Sequence, residues 1–462
     1  MKKIERRAIL CLLVAVVLIS GLCIFIVRDF RDGAEWASYE GNRDVFADGD
    51  LAKGALYDRH GELLMRNTAN GMVFNDSADI RAGCMHITGD TDNNIATGAN
   101  RVFVERLIGY DFINGIYTLN NAGKDIYLTL DSSLCATAYT ALAGRKGTVG
   151  VYNYKTGEIL CMVSSPTYDP TEPPYEIADG TYINRFTGAT FAPGSTFKLV
   201  TASSDPAIEN LDDAYTYEIN CDGYVDYGND DKVTCTEWHG TVELEKALEV
   251  SCNCYFGKLS EKIGNKLLKQ YTKKAGLMES YDIDGIKTKK GTFDFPKGGV
   301  NLAWTGIGQY NDMVCPCNLM VYAGAIANNG EAVLPSIIDA RSLVSKQVSK
   351  MTTETRDVLK TDTAASLKSM MRNNVENHYG GEYNFPGLKL CAKSGTAEVA
   401  GQDAPNAWFV GFLDDDTHPY AFVVLVEEGG YGADAAGSVA NTVLQDAVDG
   451  SSDDLDDEVE YD

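Results

Sequence analysis

Ala407-Trp408-Phe409-Val410-Gly411-Phe412-Leu413 and Tyr420-Ala421-Phe422-Val423-Val424-Leu425-Val426 are two short apolar runs separated by Asp414-Asp415-Asp416-Thr417-His418-Pro419. Runs of this length, rich in β-branched and aromatic residues and bounded by turn formers, read as paired strands. Leu388–Ser394 carries a third strand pattern just upstream. Thr148–Tyr154 and Glu158–Ser164 read as a further hairpin about Lys155-Thr156-Gly157. Asp131 can cap a helix through Ala143 that places Leu134, Ala138, Ala141 and Leu142 on one face. From Ser195 to about Asn377 the pattern is helical, and Leu367, Met370, Met371 and Val375 follow the i, i+3, i+4 period of a buried stripe. A last helix, Ala436–Val448, should end at Gly450. A hairpin, then helices, then three strands and a helix predict an α+β fold with an antiparallel sheet and separate helical layers. That fold is expected over residues 126–449.

The 462 residues carry 66 acidic and 40 basic side chains, a formal charge of -26. Such a chain repels phosphate backbones, which argues against nucleic-acid binding. Hydrophobic residues are 44% of the chain, enough for a full core and too many for a disordered protein.

Ala8–Val27 contains no charged side chain in twenty positions. A helix of that length matches a hydrocarbon core of about 30 Å. No Ala-x-Ala cleavage site follows, so the segment is expected to be an uncut transmembrane anchor. Lys2, Lys3, Arg6 and Arg7 lie before it, whereas Arg28 and Arg31 after it are offset by Asp29 and Asp32. This charge bias puts residues 1–7 in the cytoplasm and everything beyond the anchor outside the cell membrane. Residues 28–125, rich in Gly, Asn and Asp, are expected to form a small mixed pedestal domain. There Leu56–Leu64 reads as two strands about a turn at Gly61. Residues 450–462 read as a disordered acidic tail.

Twelve cysteines are present, ten of them beyond the anchor. Cys221 and Cys235 bracket a Gly/Asp/Tyr-rich stretch that reads as a hairpin, and a disulfide between them would be permitted outside the cytoplasm. Cys252/Cys254 and Cys315/Cys317 have one-residue spacing, unlike the usual Cys-x2-4-Cys of zinc sites. Buried free thiols, with no metal and no cofactor, are therefore the expectation.

The chemistry points to Pro193-Gly194-Ser195-Thr196-Phe197-Lys198. In a helix starting at Ser195, Lys198 lies one turn on, on the same face. A desolvated lysine with a lowered pKa can take a proton from a serine, and a helix N-terminus offers free backbone N–H groups beside the nucleophile. Ser251-Cys252-Asn253 and Lys393-Ser394-Gly395-Thr396 follow in order. Each alone reads as a helix cap or a strand-end turn; jointly, and with Pro-Gly before the serine, they form an ordered set. Gly-x-Ser-x-Gly, a phosphate-binding loop and His-Glu-x-x-His are all absent from the sequence.

This set resembles the penicillin-recognising serine transpeptidases, and most of all the class B penicillin-binding proteins. Gly157-Glu158-Ile159-Leu160 through Ser165-Pro166 is similar to the family's first hairpin and the loop after it. Ile307-Gly308-Gln309, Pro316 and Asn329-Gly330 resemble its later helical region, and Ala407–Gly411 resembles the strand after its Lys-Ser-Gly motif. Lys53-Gly54-x-Leu56-x-Asp58-Arg59-His60-Gly61 resembles an Arg-Gly-x-Ile-x-Asp-Arg-Asn-Gly signature, departing from it at Lys53 and His60.

The resemblance implies a peptidoglycan D,D-transpeptidase that is acylated by β-lactams. By it, Ser195 attacks the carbonyl of a penultimate D-alanine and Lys198 is its general base. Ser251 and Lys393 relay a proton to the leaving amine. Asn253 holds the donor peptide, and Ser394, Gly395 and Thr396 bind the substrate, with Ser394 and Thr396 on its terminal carboxylate. The N–H groups of Ser195 and Thr396 form the oxyanion hole. It also implies stem peptides as substrate and a SEDS-family glycosyltransferase as membrane partner, because about 100 pedestal residues are too few for a fused glycosyltransferase. A D,D-carboxypeptidase or β-lactamase of the same fold, or a non-enzymatic β-lactam sensor, is the alternative.

Overall fold

The computed structural model describes residues 11–25 and 53–457, except 69, 109, 112–115, 118–122, 210–215 and 341–352. The expected cytoplasmic tail, the charges flanking the anchor and both ends of Ala8–Val27 lie outside the described residues. Residues 11–25 are helical, with exposed apolar side chains such as Leu12 and Val17. No helix among the described residues is long and apolar enough to cross a membrane.

The pedestal begins with β1 (Ala55–Tyr57), β2 (Leu63–Thr68) and β3 (Gly71–Phe74). The β1–β2 turn has Gly61 at φ 87, the left-handed conformation that glycine adopts without a Cβ clash. Helix α1 (Ala78–Thr88) follows, capped by Ser77. Strand β4 (Ile126–Tyr127) pairs parallel to β1 and completes a sheet of order β3-β2-β1-β4. The expected boundary at residue 125 therefore falls before the strand that closes the pedestal sheet. Helix α2 (Ser132–Leu142) starts on Asp131, whose carboxylate accepts from the N–H groups of Ser133 and Leu134 as expected.

The main sheet is built from β5 (Gly147–Asn153) and β6 (Ile159–Ser165) near its start in sequence. Between this hairpin and the remaining strands lie five helices relevant to the site. They are α3 (Lys198–Ser203), α4 (Leu244–Glu249), α5 (Asn253–Lys274), α6 (Pro316–Ala327) and α7 (Thr361–Asn377). The expected stripe Leu367, Met370, Met371 and Val375 on α7 is buried. The region is less uniformly helical than its sequence suggests. Small hairpins interrupt it, including Tyr224–Asp226 with Lys232–Thr234, whose connection contains Gly228, Asn229 and Asp230 at positive φ. Such turns need only a few Gly, Asn and Asp residues and leave little periodic signal.

Strands β7 (Leu390–Ala397), β8 (Asn406–Leu413) and β9 (Tyr420–Val426) complete an antiparallel five-stranded sheet of order β7-β8-β9-β5-β6. Every residue of β6, β8 and β9 is buried, so helices cover both faces of the sheet. Helix α6 packs on β8 and β9, while α2 packs with the C-terminal helix α8 (Gly432–Asp457). The α+β class with an antiparallel sheet is as expected.

Two boundaries differ from expectation. Lys393–Thr396 lies inside β7, because pairing with β8 continues to Ala397 opposite Asn406. Helix α8 runs from Gly432 through Gly450 to Asp457, past the stop expected at Gly450. Gly450 keeps helical backbone and does not take the left-handed conformation of a C-terminal stop. Residues 458–462 lie outside the described residues.

Candidate active site

Ser195 sits in the 3-10 turn Gly194–Phe197 that leads directly into α3. The start of this turn is fixed from three sides. Gly194 N–H donates to Gly308 C=O at 2.9 Å, Thr196 Oγ1 donates to Pro193 C=O at 2.7 Å, and Trp408 Nε1 donates to Ala192 C=O at 2.9 Å. Gly194 has φ 54, and a Cβ there would meet Thr396 C=O at 2.7 Å. A Cβ at Gly395 would meet Thr196 Cγ2 at 2.8 Å and Pro193 C=O at 3.0 Å. These two glycines let the Ser195 turn and the Lys393–Thr396 segment of β7 lie backbone against backbone. Gly308, in the Ile307-Gly308-Gln309 segment, supports the same turn from behind.

Lys198 is fully buried. Its Nζ donates to Ser251 C=O at 2.6 Å, to Ser251 Oγ at 3.1 Å and to Asn253 Oδ1 at 2.7 Å. Among the described residues no hydrogen bond joins it to Ser195, a separation common in catalytic pairs before substrate binds. Lys393 is also fully buried, and its Nζ donates to Ser251 Oγ at 3.1 Å and to Ser394 C=O at 2.9 Å. Burial, and then the nearby charge of Lys393, lowers the Lys198 amine to about 7. Burial lowers Lys393 to about 7 as well. Both amines can thus lose a proton near neutral pH.

Ser251 occupies a left-handed backbone conformation at φ 55, rare for a residue with a Cβ. It sits between α4 and α5, where Cys252 N–H donates to Ala247 C=O at 2.8 Å. Cys252 is the N-cap of α5, which starts at Asn253. Asn253 Nδ2 donates to Thr234 C=O at 2.7 Å, which orients its Oδ1 toward Lys198.

Ser394 and Thr396 are half-buried on β7, while Lys393 and Gly395 are buried. Sequence reasoning missed Tyr379. Its hydroxyl accepts from Ser394 N–H and Ser394 Oγ, both at 3.0 Å, and lies 3.4 Å from Lys393 Nζ. The ring is buried edge-on against Phe409, with centroids 5.5 Å apart. No motif marks Tyr379; only its position just past α7 and the register of β7 bring it here.

Cys221 and Cys235 bracket the expected hairpin and are free thiols, with sulfurs 3.6 Å apart, so the disulfide permitted there is not formed in this structure. Cys315 and Cys317 are buried free thiols, as expected. Cys221, Cys235 and Cys252 instead converge with His239, all ligand atoms lying within 4.8 Å of one another. Pair spacing could not show this, because the four residues come from separate segments around the Ser251–Asn253 motif.

The arrangement supplies a serine at the start of a helix and two amines able to shed protons. It adds a hydroxyl bridging them and an edge strand with half-buried hydroxyl side chains. Such a set can perform acyl transfer through a serine ester.

Residues 147–448 match the family described as the penicillin binding protein transpeptidase domain. The chain is 25% identical over 359 residues to the peptidoglycan D,D-transpeptidase MrdA of Acinetobacter baumannii, covering 68% of this chain and 52% of MrdA. It is 27% identical to the peptidoglycan D,D-transpeptidase PbpA of Mycolicibacterium smegmatis, covering 72% of this chain and 73% of that protein. The chain thus spans about half the length of MrdA. Among solved structures, a ceftriaxone acyl-enzyme complex of penicillin-binding protein A from M. tuberculosis superposes with a TM-score of 0.72. That match has 21% identity and covers 87% of this chain and 99% of the other. Penicillin-binding protein PBP2 of Helicobacter pylori, solved in complex with MreC, superposes at 0.70 with 19% identity over 86% and 97% of the two chains. With its domain match running over well more than half of its length, the chain belongs to the penicillin-binding protein transpeptidases, in class B.

Proposed function

We propose that the protein is a peptidoglycan D,D-transpeptidase, and that Ser195 is its nucleophile. One observation carries this reading: Ser251 Oγ lies 3.1 Å from each of two buried lysines, one of them a single turn after Ser195. Lys198 in its neutral form takes the Ser195 proton as Oγ bonds to the carbonyl carbon of a penultimate D-alanine. The N–H groups of Ser195 and Thr396 hold the oxyanion, each worth about 3–4 kcal/mol to the transition state. Collapse breaks the D-Ala–D-Ala peptide bond. The leaving nitrogen receives a proton along Lys198, Ser251 and Lys393, and terminal D-alanine departs.

The resulting serine ester is then attacked by an amine of a neighbouring stem peptide, whose proton returns along the same path as the cross-link forms. Asn253 positions the donor peptide. Ser394 and Thr396 bind the terminal carboxylate on the edge of β7, with Gly395 allowing the close approach and Lys393 supplying positive charge. A β-lactam enters as a mimic of the donor and remains as the ester.

Ala8–Val27 serves as a single-pass anchor, which places the catalytic domain outside the cell membrane. A SEDS-family glycosyltransferase supplies the glycan strands that this chain cross-links. The test is to incubate the purified chain with a glycan polymerase and lipid-linked disaccharide-pentapeptide. Cross-linked muropeptides and free D-alanine are expected. D-alanine release without cross-links would indicate a carboxypeptidase. Turnover of β-lactam would indicate a β-lactamase, and stable acylation without either product a sensor.

A further inference from the structure

Strand β7 stands at the edge of the main sheet, and an edge strand presents a row of backbone groups with which another chain can pair. Successive residues of an antiparallel strand alternate between facing the partner strand and facing outward. Leu390, Ala392 and Ser394 belong to the outward set of β7, as their bonds to side chains show. Arg372 Nη1 donates to Leu390 C=O at 3.3 Å, and Asn374 Nδ2 donates to Ala392 C=O at 3.1 Å. Ser394 N–H donates to Tyr379 Oη at 3.0 Å, and Lys393 Nζ donates to Ser394 C=O at 2.9 Å. From Leu390 to Ser394, side chains thus stand in place of a sixth strand. The next residue of the set is Thr396, opposite Ala407 in the register with β8. In the mechanism above, Thr396 N–H serves the oxyanion. The cover stops where the chemistry starts.

Tyr379 forms the end of this cover and is fixed from several sides. Its N–H donates to Asn374 C=O at 3.0 Å, and its C=O accepts from Asn384 Nδ2 at 2.7 Å. The side chain is buried, with its ring against Phe409. A cover that only kept the edge from aggregating would need no particular end point, and exposed charged side chains would suffice for it. Here a buried tyrosine hydroxyl is held against one N–H beside the nucleophile's cleft. The scissile carbonyl lies at Thr396 N–H and the terminal carboxylate at the Ser394 and Thr396 hydroxyls, so the donor's C-terminal end points toward Ser394. The group that Tyr379 occupies is therefore the next one that a longer peptide would reach.

We propose that Tyr379, with Asn374 and Arg372 behind it, sets the C-terminal limit of the donor site and restricts it to peptides that end one residue after the scissile bond. The inference rests on the transpeptidase reading and adds to it which peptide ends are admitted. A donor with one more residue would bring its next peptide group to Ser394, where Tyr379 Oη already stands at hydrogen-bond distance from the N–H. Such a donor meets a filled space and leaves its own carbonyl unpaired. A free carboxylate is shorter, and finds the two hydroxyls and the charge of Lys393.

The test uses the full chain purified in detergent and two donor peptides that differ only at their ends, one closing in D-Ala-D-Ala and the other in D-Ala-D-Ala-Gly. Cleavage of the same D-Ala–D-Ala bond releases D-alanine from the first and D-Ala-Gly from the second, and mass spectrometry reads both. The wild-type chain should release D-alanine faster by about 10²-fold or more. Tyr379→Leu shortens the side chain and should narrow that ratio about tenfold, through faster release of D-Ala-Gly. Tyr379→Phe keeps the ring without the hydroxyl and should fall between the two. Tyr379→Met, whose unbranched chain adapts to the space left by the ring, repeats the measurement if the leucine variant does not fold. Comparable release of both products by the wild type, or an unchanged ratio in a folded leucine or methionine variant, would overturn the proposal. Acylation of the wild type by benzylpenicillin separates this limit from the reaction itself. Acylation with equal release of the two products sinks only the limit at Tyr379. Neither acylation nor D-alanine release sinks the transpeptidase reading as well.

Discussion

Lys198 and Lys393 share one hydroxyl, that of Ser251, at 3.1 Å from each amine. Two ammonium groups buried against one small polar atom repel each other and lack water, so each favours loss of its proton. The pair is therefore a proton store set near neutrality, next to the turn that carries Ser195.

Lys198 must be neutral to accept a proton, and its amine titrates at about 7. Acylation by a β-lactam should rise with pH from 5 to 8 along a limb centred near 7. Stopped-flow acylation across that range reads the limb directly. A flat profile, or one falling with pH, would remove Lys198 as the base. Lys393→Ala takes away a neighbouring positive charge, so the limb should move to higher pH.

Arginine at position 198 keeps the charge but stays protonated at any accessible pH. Lys198→Arg should therefore slow acylation by about 10²–10⁴-fold, the usual contribution of a general base. Near-normal acylation would point to another base.

Both lysines titrate near 7 in the folded protein and near 10.4 when unfolded. Between those values the unfolded chain binds more protons, so stability should rise with pH across that window and fall as pH drops toward 7. Thermal unfolding at pH 7, 8 and 9 reads the trend. In Lys198→Met the slope should be shallower. An unchanged slope would mean the amines are not the source.

How far the sequence reached can be judged from these same residues. Ser195, Lys198, Ser251, Asn253 and Lys393 were legible because each belongs to a short ordered motif, and the strands β8 and β9 because their apolar runs are continuous. Tyr379 was not, since a single tyrosine after a helix has no pattern; only the tertiary placement of β7 gives its hydroxyl a purpose. The Cys221, Cys235, His239 and Cys252 cluster was hidden for a related reason. Ligand spacing along the chain carries information only when ligands share a local knuckle, and here they come from different turns. Helix α8 outran its expected stop because Gly450 ends a helix only if its φ turns positive.

Tyr379→Phe keeps the ring against Phe409 but removes the acceptor of Ser394 N–H and Oγ. Stability should fall by about 1 kcal/mol, the net worth of such a bond. The larger effect is expected on binding of the donor carboxylate, as a raised KM for a D-Ala-D-Ala thioester with a smaller change in kcat. An unaltered KM would leave Tyr379 a packing residue only.

Ser251 offers a separate check, because its hydroxyl and its backbone can be varied independently. Ser251→Ala and Ser251→Gly both remove the bridge between the lysines and should slow acylation alike. Glycine accepts φ 55 without a Cβ clash, so the glycine variant should be the more stable of the two by about 1 kcal/mol. Equal melting temperatures would show that the left-handed backbone costs nothing there.

The central claim is that Ser195 carries the acyl group. Intact-mass spectrometry after incubation with benzylpenicillin tests it most directly. The wild-type chain should gain the mass of one intact penicillin, and Ser195→Ala, with an unchanged melting temperature, should gain none. A full adduct on Ser195→Ala, or no adduct on the wild-type chain, would contradict the account.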